Sequence, residues 1–342
     1  MVVRSKMPQT TIVDIAAASG VSVATVSRIL NNKPDVAEAT RERVLRVMDE
    51  IGFAPQSAWR QIRSGRTGII AVHRPEVFNP PAYRLVLAAA LGVEDAGYSI
   101  NILTRPLNDA ELLAIFRSRQ ADAVILLEIQ TTDRRPEILR DHGYPFVMIG
   151  HRTDNTGLSF ADVDIEHGIG LAMDHLVALG HRRIGFLTTD PVVDHKVYAF
   201  ATWALRSYQE ACARAGLEAM TAMAGPMNDA MAAAAARLLD EHPDLSAVIA
   251  PQQQSVIGVL RVCYERGIRI PHDLSIVAVL SDPLSELATP PLTTITFPAD
   301  EMGRVAAELL IDRLDLGILA PRQVFVRPEL TVRGTTAPPP QR

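Results

Sequence analysis

Residues 11–31 read Thr-Ile-Val-Asp-Ile-Ala-Ala-Ala-Ser-Gly-Val-Ser-Val-Ala-Thr-Val-Ser-Arg-Ile-Leu-Asn, and this stretch restricts the fold more than any other. Thr11 is placed to cap a first helix over about residues 12–18. Ile12, Ile15 and Ala16 share one face, which suits burial. Gly20 can take the positive φ that a tight helix–helix turn requires. Val21 fills a small core, and Ser22 caps a second helix over about 23–31. Val26, Ile29 and Leu30 point inward, whereas Ala24, Ser27, Arg28 and Asn31 share the outer face. That outer face has no acid and mostly small groups, so a backbone can come close to base edges and hydroxyls can donate to phosphates. Arg28 can reach guanine O6 and N7 with two hydrogen bonds, about 1–3 kcal/mol of base discrimination. A third helix is expected over about 38–51. Val44, Val47, Met48 and Ile51 form its buried stripe, Arg41, Arg43 and Arg46 lie toward its exposed side, and Gly52 ends it.

These residues resemble the opening of the lactose-repressor (LacI/GalR) family of bacterial transcription regulators. The family pattern is met at Thr11, Asp14, Ile15, Ala16, Gly20, Val21, Ser22, Thr25, Val26, Ser27, Arg28, Leu30 and Asn31, and again at Thr40, Arg41 and Val44. The resemblance implies that Val23, Ala24 and Arg28 read bases, while Ser22, Thr25, Ser27 and Asn31 anchor phosphates. Ala37 departs from it, standing where the family places a serine cap.

A basic linker follows. Pro55 ends one element, and the run from Ser57 to Thr67 is helix-competent but too short to be stable alone in water. It carries Arg60, Arg63 and Arg66 beside the apolar Trp59 and Ile62. One reading is a tether. The other is a hinge helix that forms on DNA and drives an apolar wedge into the minor groove. The resemblance puts Ile62 at the wedge position, and Trp59 at the place of the family's alanine.

The net charge of −5 argues against a general nucleic-acid binder, but the charge is unevenly placed. Residues 1–66 hold 10 lysines and arginines against 6 acids, leaving 24 against 33 for the remainder. A basic head on an acidic body concentrates DNA affinity at one end. Cys212 and Cys263 read as small core hydrophobes in a reducing cytoplasm. No leader and no membrane span is apparent, so a cytoplasmic location is expected.

From Gly68 onward strands and helices alternate in two series, which gives an α/β class with two doubly wound parallel sheets behind an all-α helix-turn-helix head and hinge. Ligands in such folds sit at strand C-termini, here in a cleft between two lobes. The resemblance extends over the body, for example at Asn79-Pro80, at His175-Leu176 with Gly180-His181-Arg182-Arg183-Ile184, and at Glu301-Met302-Gly303-Arg304. It implies a two-lobed body of the periplasmic-binding-protein type, with three crossings between lobes. The expected division is 1–54 for the DNA-binding head, 55–67 for the hinge and 68–336 for effector binding and dimerisation. Lobe 1 takes about 68–167 and 297–325, and lobe 2 about 168–296 and 326–336. Residues 337–342 are expected to be a disordered tail.

Sugar-binding relatives grip hydroxyls with charged and aromatic groups, and the corresponding places here hold Ala204 (with Ser207 for a glycine), Pro226, Gln252-Gln253 and Leu280 or Ser281. These lack the charged grip a simple sugar needs, because a buried hydroxyl without partners costs about 1–3 kcal/mol. Candidate effector contacts are Asn79, Lys196, Arg206, Gln252, Gln253, Ser281 and Asp282. Catalytic readings find no support. His175 and His181 fit no metal spacing, no nucleophile elbow or phosphate loop occurs, and Asp162 with Asp164 reads as a polar strand end rather than a metal site. His181, following Gly180, is expected to cap a helix end. Trp203 is expected in the core. No cofactor is implied. The expectation is a homodimeric, operator-binding regulator, acting as a repressor under a small-molecule effector and not as an enzyme. The alternative is a ligand-binding protein with a vestigial head.

Overall fold

The computed structural model describes residues 12–30, 36–51, 66–74, 80–193, 195–280 and 284–341. In the head, α1 spans Ile12–Ser19, α2 Val23–Leu30 and α3 Glu38–Glu50. In the body, β1 (Ile69–His73), α4 (Pro80–Glu94), β2 (Ser99–Leu103), α5 (Asp109–Arg117), β3 (Ala123–Leu126), α6 (Arg135–Asp141), β4 (Phe146–Ile149) and β5 (Phe160–Val163) come first. Then follow α7 (Ile165–Ala178), β6 (Ile184–Thr189), a small hairpin of β7 (Val192–Val193) and β8 (Lys196–Val197), and α8 (Ala199–Ala215). After these come β9 (Met220–Ala224), α9 (Asn228–Glu241), β10 (Ala247–Ala250), α10 (Gln253–Arg266), β11 (Ser275–Leu280) and the short α11 (Leu284–Leu287). The chain closes with β12 (Thr293–Thr296), α12 (Ala299–Asp315), β13 (Gln323–Val326) and β14 (Leu330–Thr331).

The body is built on two six-stranded sheets, ordered β13-β5-β4-β3-β1-β2 and β14-β12-β11-β10-β6-β9. Every pairing in the first is parallel, and in the second only β14 runs antiparallel, against β12. β3, β4, β5, β10 and β11 are buried along their whole length. This is why they read as continuous apolar runs rather than alternating ones. The order reverses between β1 and β3 in one sheet and between β6 and β10 in the other, and those switch points open a crevice at the strand C-termini. The first sheet takes β13 and the second takes β14, so the closing segment visits both lobes.

α4 and α12 lie side by side on the first sheet. Gly303 permits this, since a Cβ there would run into the Leu85 carbonyl oxygen and the Ala88 Cβ. The close approach holds Leu85 and Met302 together at the crevice.

Two details depart from the sequence reading. α7 starts at Ile165 with Asp164 as its cap, accepting the His167 N–H at 3.0 Å, so the helix begins three residues before the expected lobe boundary. Residues 337–341 are not a loose tail. The Ala337 carbonyl accepts from His181 Nε2 at 2.9 Å and Ser275 Oγ at 3.1 Å, its N–H donates to Ser275 Oγ, and Pro339 packs over Gly180. The sequence looked disordered because proline-rich ends lack a pattern of their own, whereas here buried partners elsewhere in the chain hold the segment. His181 differs accordingly. Its backbone closes the α7 end through a bond to Leu176 O, but its fully buried ring, also bonded to Ser246 Oγ, pins the C-terminal segment.

Candidate DNA-binding head and effector cleft

Two backbone bonds end α1, from Val21 N to Ala16 O at 3.1 Å and from Gly20 N to Ala17 O at 3.4 Å. Gly20 sits at φ +67°, the left-handed position this helix stop requires. The chain then turns by 100° into α2. Ser22 Oγ accepts the Thr25 N–H at 3.1 Å, which caps α2, and lies 2.9 Å from the Thr25 hydroxyl. Ile15, Ala16, Val26, Ile29, Val44 and Met48 form the core of the head. Burying Val26 and Ile29 leaves Ser22, Val23, Ala24 and Arg28 exposed on the opposite side, with Thr25 and Ser27 half-buried. Arg41 is not on the open face that the sequence suggested. It is half-buried, donating to the Ile29 carbonyl at 3.4 Å and so helping to satisfy the C-terminal end of α2. Arg43 and Arg46 are exposed. Thr11, Asn31, Trp59 and Ile62 lie outside the described residues.

The body begins at a fixed anchor. Arg66 donates to Tyr98 Oη and Asp315 Oδ1, each at 2.8 Å, and to the Leu314 carbonyl; Tyr98 in turn donates to Asp315. Burial and Asp315 push the Tyr98 phenol up to about 12, so it stays a donor. The Asp122 carboxylate receives the Thr67 and Gly68 N–H groups at 2.7 Å each. Movement of α12 therefore reaches residue 66 through direct bonds.

A cavity of about 180 Å³ opens where the C-termini of β3, β4, β10 and β11 meet. Leu85, Leu127, Ile129, Ile149, Phe200, Val279, Phe297 and Met302 make most of its wall. Its polar groups are Glu128, Asp162, Tyr198 and the run Gln252-Gln253-Gln254. Asp162 receives His151 N at 3.0 Å, His151 Nδ1 at 2.7 Å and Val163 N at 2.7 Å. Glu128 pairs with the buried Arg74 at 3.3 Å and sits at φ 53°. A side chain in that left-handed region is strained by about 1–3 kcal/mol. Arg135 holds the strain in place by donating to the Leu127 and Glu128 carbonyls at 2.9 and 3.1 Å. Arg135 also donates to both oxygens of buried Asp133, from Nε to Oδ1 at 3.0 Å and from Nη2 to Oδ2 at 2.6 Å, and lies 3.2 Å from His73 Nδ1. Burial, then the Arg135 charge, pulls His73 down to about 4, so its neutral ring accepts from Arg135.

Of the effector candidates, Gln252 and Gln253 line this cavity. Lys196 and Arg206 do not. Lys196 lies on β8, within the hairpin that closes on β7. Arg206 points off α8, pairs with Glu210 at 2.9 Å and stacks over Trp203, on the rim of a separate cavity shared with His151 and Phe325. Ala204 is fully buried in the core and takes no part in the wall, because α8 meets the cleft only through Ala199 and Phe200 at its start. Trp203 packs against both first-lobe and shared core, stacked on His151 at 5.1 Å. Asn79, Ser281 and Asp282 lie outside the described residues. The apolar wall and Glu128 escaped sequence reasoning, although two of these groups directly follow strand ends, Glu128 after β3 and Phe297 after β12. Among the described residues no helix is long and apolar enough to cross a membrane.

Comparison with known proteins agrees with this geometry. Residues 11–56 match the family model of bacterial regulatory proteins, lacI family, and residues 173–336 match that of the periplasmic binding protein-like domain. The HTH-type transcriptional regulator MalR of Streptomyces coelicolor is 34% identical over 97% of this chain and 98% of its own. The solved complex of the transcriptional regulator CelR with cellobiose is 28% identical, with a TM-score of 0.71 over 96% of this chain and all of that one. The lac repressor dimer bound to operator and the anti-inducer ONPF shares the fold at a TM-score of 0.83 over 96% of this chain and 100% of that one, at 22% identity. A capped second helix on a small helical head, a two-sheet body with a cleft at its switch points, and relatives matched along nearly the whole chain lead to one assignment: the chain belongs to the lacI family of bacterial regulatory proteins, DNA-binding regulators of transcription.

Proposed function

We propose that the protein is a cytoplasmic repressor that binds a near-palindromic operator as a homodimer and is released or retained by a small molecule in the cleft, with no catalytic activity of its own. One observation carries this reading. Ser22, Val23, Ala24 and Arg28 are exposed on a capped helix whose opposite side is buried. In this reading 1–54 read DNA, 55–67 form the hinge and 68–336 bind effector and pair two chains. Val23, Ala24 and Arg28 meet base edges, with Ser22, Thr25, Ser27, Thr11 and Asn31 on phosphates and Trp59 and Ile62 at the minor groove. Pairing is supported by an apolar stripe on α4, where Tyr83, Leu87 and Leu91 are each about half exposed at helical spacing, beside exposed Ile102 on the edge strand β2. A twofold pair sets two heads on two half-sites. The Arg66 anchor on α12 supports a route by which cleft closure shifts the start of the hinge.

The test is selection of bound sequences from a random duplex pool, followed by titration of Arg28→Ala. One base pair per half-site should lose its preference, at about 1–3 kcal/mol. A pool without enrichment leaves only the ligand-binding reading, and an equal loss on operator and scrambled DNA reduces Arg28 to a phosphate contact.

A further inference from the structure

Two adjacent side chains of the cleft wall each carry a buried polar atom without a hydrogen-bond partner. Gln252 lines the cleft, and the orientation of its amide is fixed because Oε1 accepts from Thr188 Oγ1 at 3.1 Å and from the Thr189 N–H at 3.3 Å. A backbone N–H can only donate, so the oxygen faces β6 and the amide nitrogen faces away. That Nε2 is buried and makes no hydrogen bond. The neighbouring Gln253 also lines the cleft, and its Oε1 is likewise buried without a partner. The acids there are engaged, Asp162 by three donors and Glu128 by Arg74. Tyr198 and Gln254 add two more polar side chains, and the rest of the lining among the described residues is apolar.

We infer that the effector is a compact, largely apolar and planar molecule carrying one hydrogen-bond acceptor beside one donor, of the aromatic lactam or cyclic amide class, rather than a polyhydroxylated sugar. Gln252 Nε2 donates to its carbonyl and Gln253 Oε1 accepts its N–H, while Ile149, Phe200 and Phe297 cover its faces. Buried polar atoms left unpaired are costly, so a ligand that satisfies both gains selectivity over one that satisfies neither. A sugar would bring several hydroxyls against a wall in which, among the described side chains, only these two polar atoms are buried without a partner. This inference rests on the effector-cleft reading proposed above.

The test is calorimetric titration of the full chain with carbostyril (a bicyclic aromatic lactam), with quinoline as its counterpart lacking the N–H and carbonyl, and with cellobiose. Carbostyril should bind one site per chain at least tenfold more tightly than quinoline. Gln253→Leu should remove most of that difference with an unchanged melting temperature, and Gln252→Leu should remove it too but with a lowered melting temperature, because Thr188 Oγ1 and the Thr189 N–H lose their acceptor. The inference is overturned if carbostyril does not bind, if its advantage over quinoline survives both substitutions, or if cellobiose binds more tightly. DNA selection on the same preparation separates the two levels. Enrichment of an operator alongside tight cellobiose binding removes the lactam and keeps the regulator, whereas absence of enrichment removes the regulator itself.

Discussion

Ser22 caps a helix and, in the proposed docking, meets phosphate with the same atom, and substitutions can pull these two roles apart. Its Oγ caps α2 through the Thr25 N–H at 3.1 Å, and in the proposed docking the same end of α2 faces the phosphate backbone. Ser22→Ala removes the cap, which costs about 1 kcal/mol. Ser22→Asp keeps a cap, because aspartate ranks with serine at this position and gains about 0.3–1 kcal/mol from the helix dipole. It also adds a negative charge next to phosphate. At about 5 Å and an effective dielectric of about 40, that repulsion is about 1.7 kcal/mol per head, or about 3 kcal/mol for two heads on one operator. Operator affinity should therefore fall on the order of 100-fold in Ser22→Asp, while the melting temperature of the head stays at or above that of the parent. Ser22→Ala should show the reverse balance, with a lower melting temperature and at most about a tenfold weaker operator complex. Far-ultraviolet melting and quantitative gel shifts at one fixed salt concentration give both readouts. Ser22→Asp binding operator as the parent does would remove α2's N-terminus from the phosphate backbone. A melting temperature that drops as far in Ser22→Asp as in Ser22→Ala would refute the cap.

Three further outcomes concern the body. Gly303→Ala forces a methyl against the Leu85 carbonyl and the Ala88 Cβ and should destabilise the body by about 1–3 kcal/mol in urea unfolding, with the head transition unmoved. Arg135→Met leaves buried Asp133 without its partner and should cost about 3–5 kcal/mol by the same measurement, and an unchanged midpoint would show that Asp133 finds other support. Body stability should fall as pH drops from 6.5 to about 4. Unfolded His73 takes up a proton near 6.5 and folded His73 only near 4, so acid favours the unfolded chain in that window. Half-buried His175 and buried His181 are also lowered and act in the same sense, so His73→Gln should flatten the slope without abolishing it, as followed by melting temperature against pH.

The difference between what the sequence revealed and what it hid follows the range of the interactions. α1, α2 and the Gly20 turn are set by neighbours within five residues, namely the Ser22 cap, the Gly20 φ and the spacing of Ile15 and Ala16. Such features survive in a one-dimensional reading. β2, β4 and β10 were equally plain, since strands buried on both faces or bounded by turn residues announce themselves by composition. The cleft is different. Its wall joins Leu85, Ile149 and Phe200 from three elements and Phe297 from the link after β12, spread over both lobes, and no local spacing links them. Arg206 illustrates the failure. A cation on the helix that borders the cleft was a sound candidate, but a change of facing along α8 puts residues 199 and 200 into the cavity and residue 206 against Glu210. Gln252 and Gln253 could be found because they directly follow β10, where the topology requires a ligand to sit. Their roles could not, because the fixed amide of Gln252 depends on Thr188 and Thr189, more than sixty residues earlier in the chain. A family pattern therefore carries the head residue by residue, but carries the cleft only as a location. The chemistry of the effector is written in side chains that meet only after both lobes have folded.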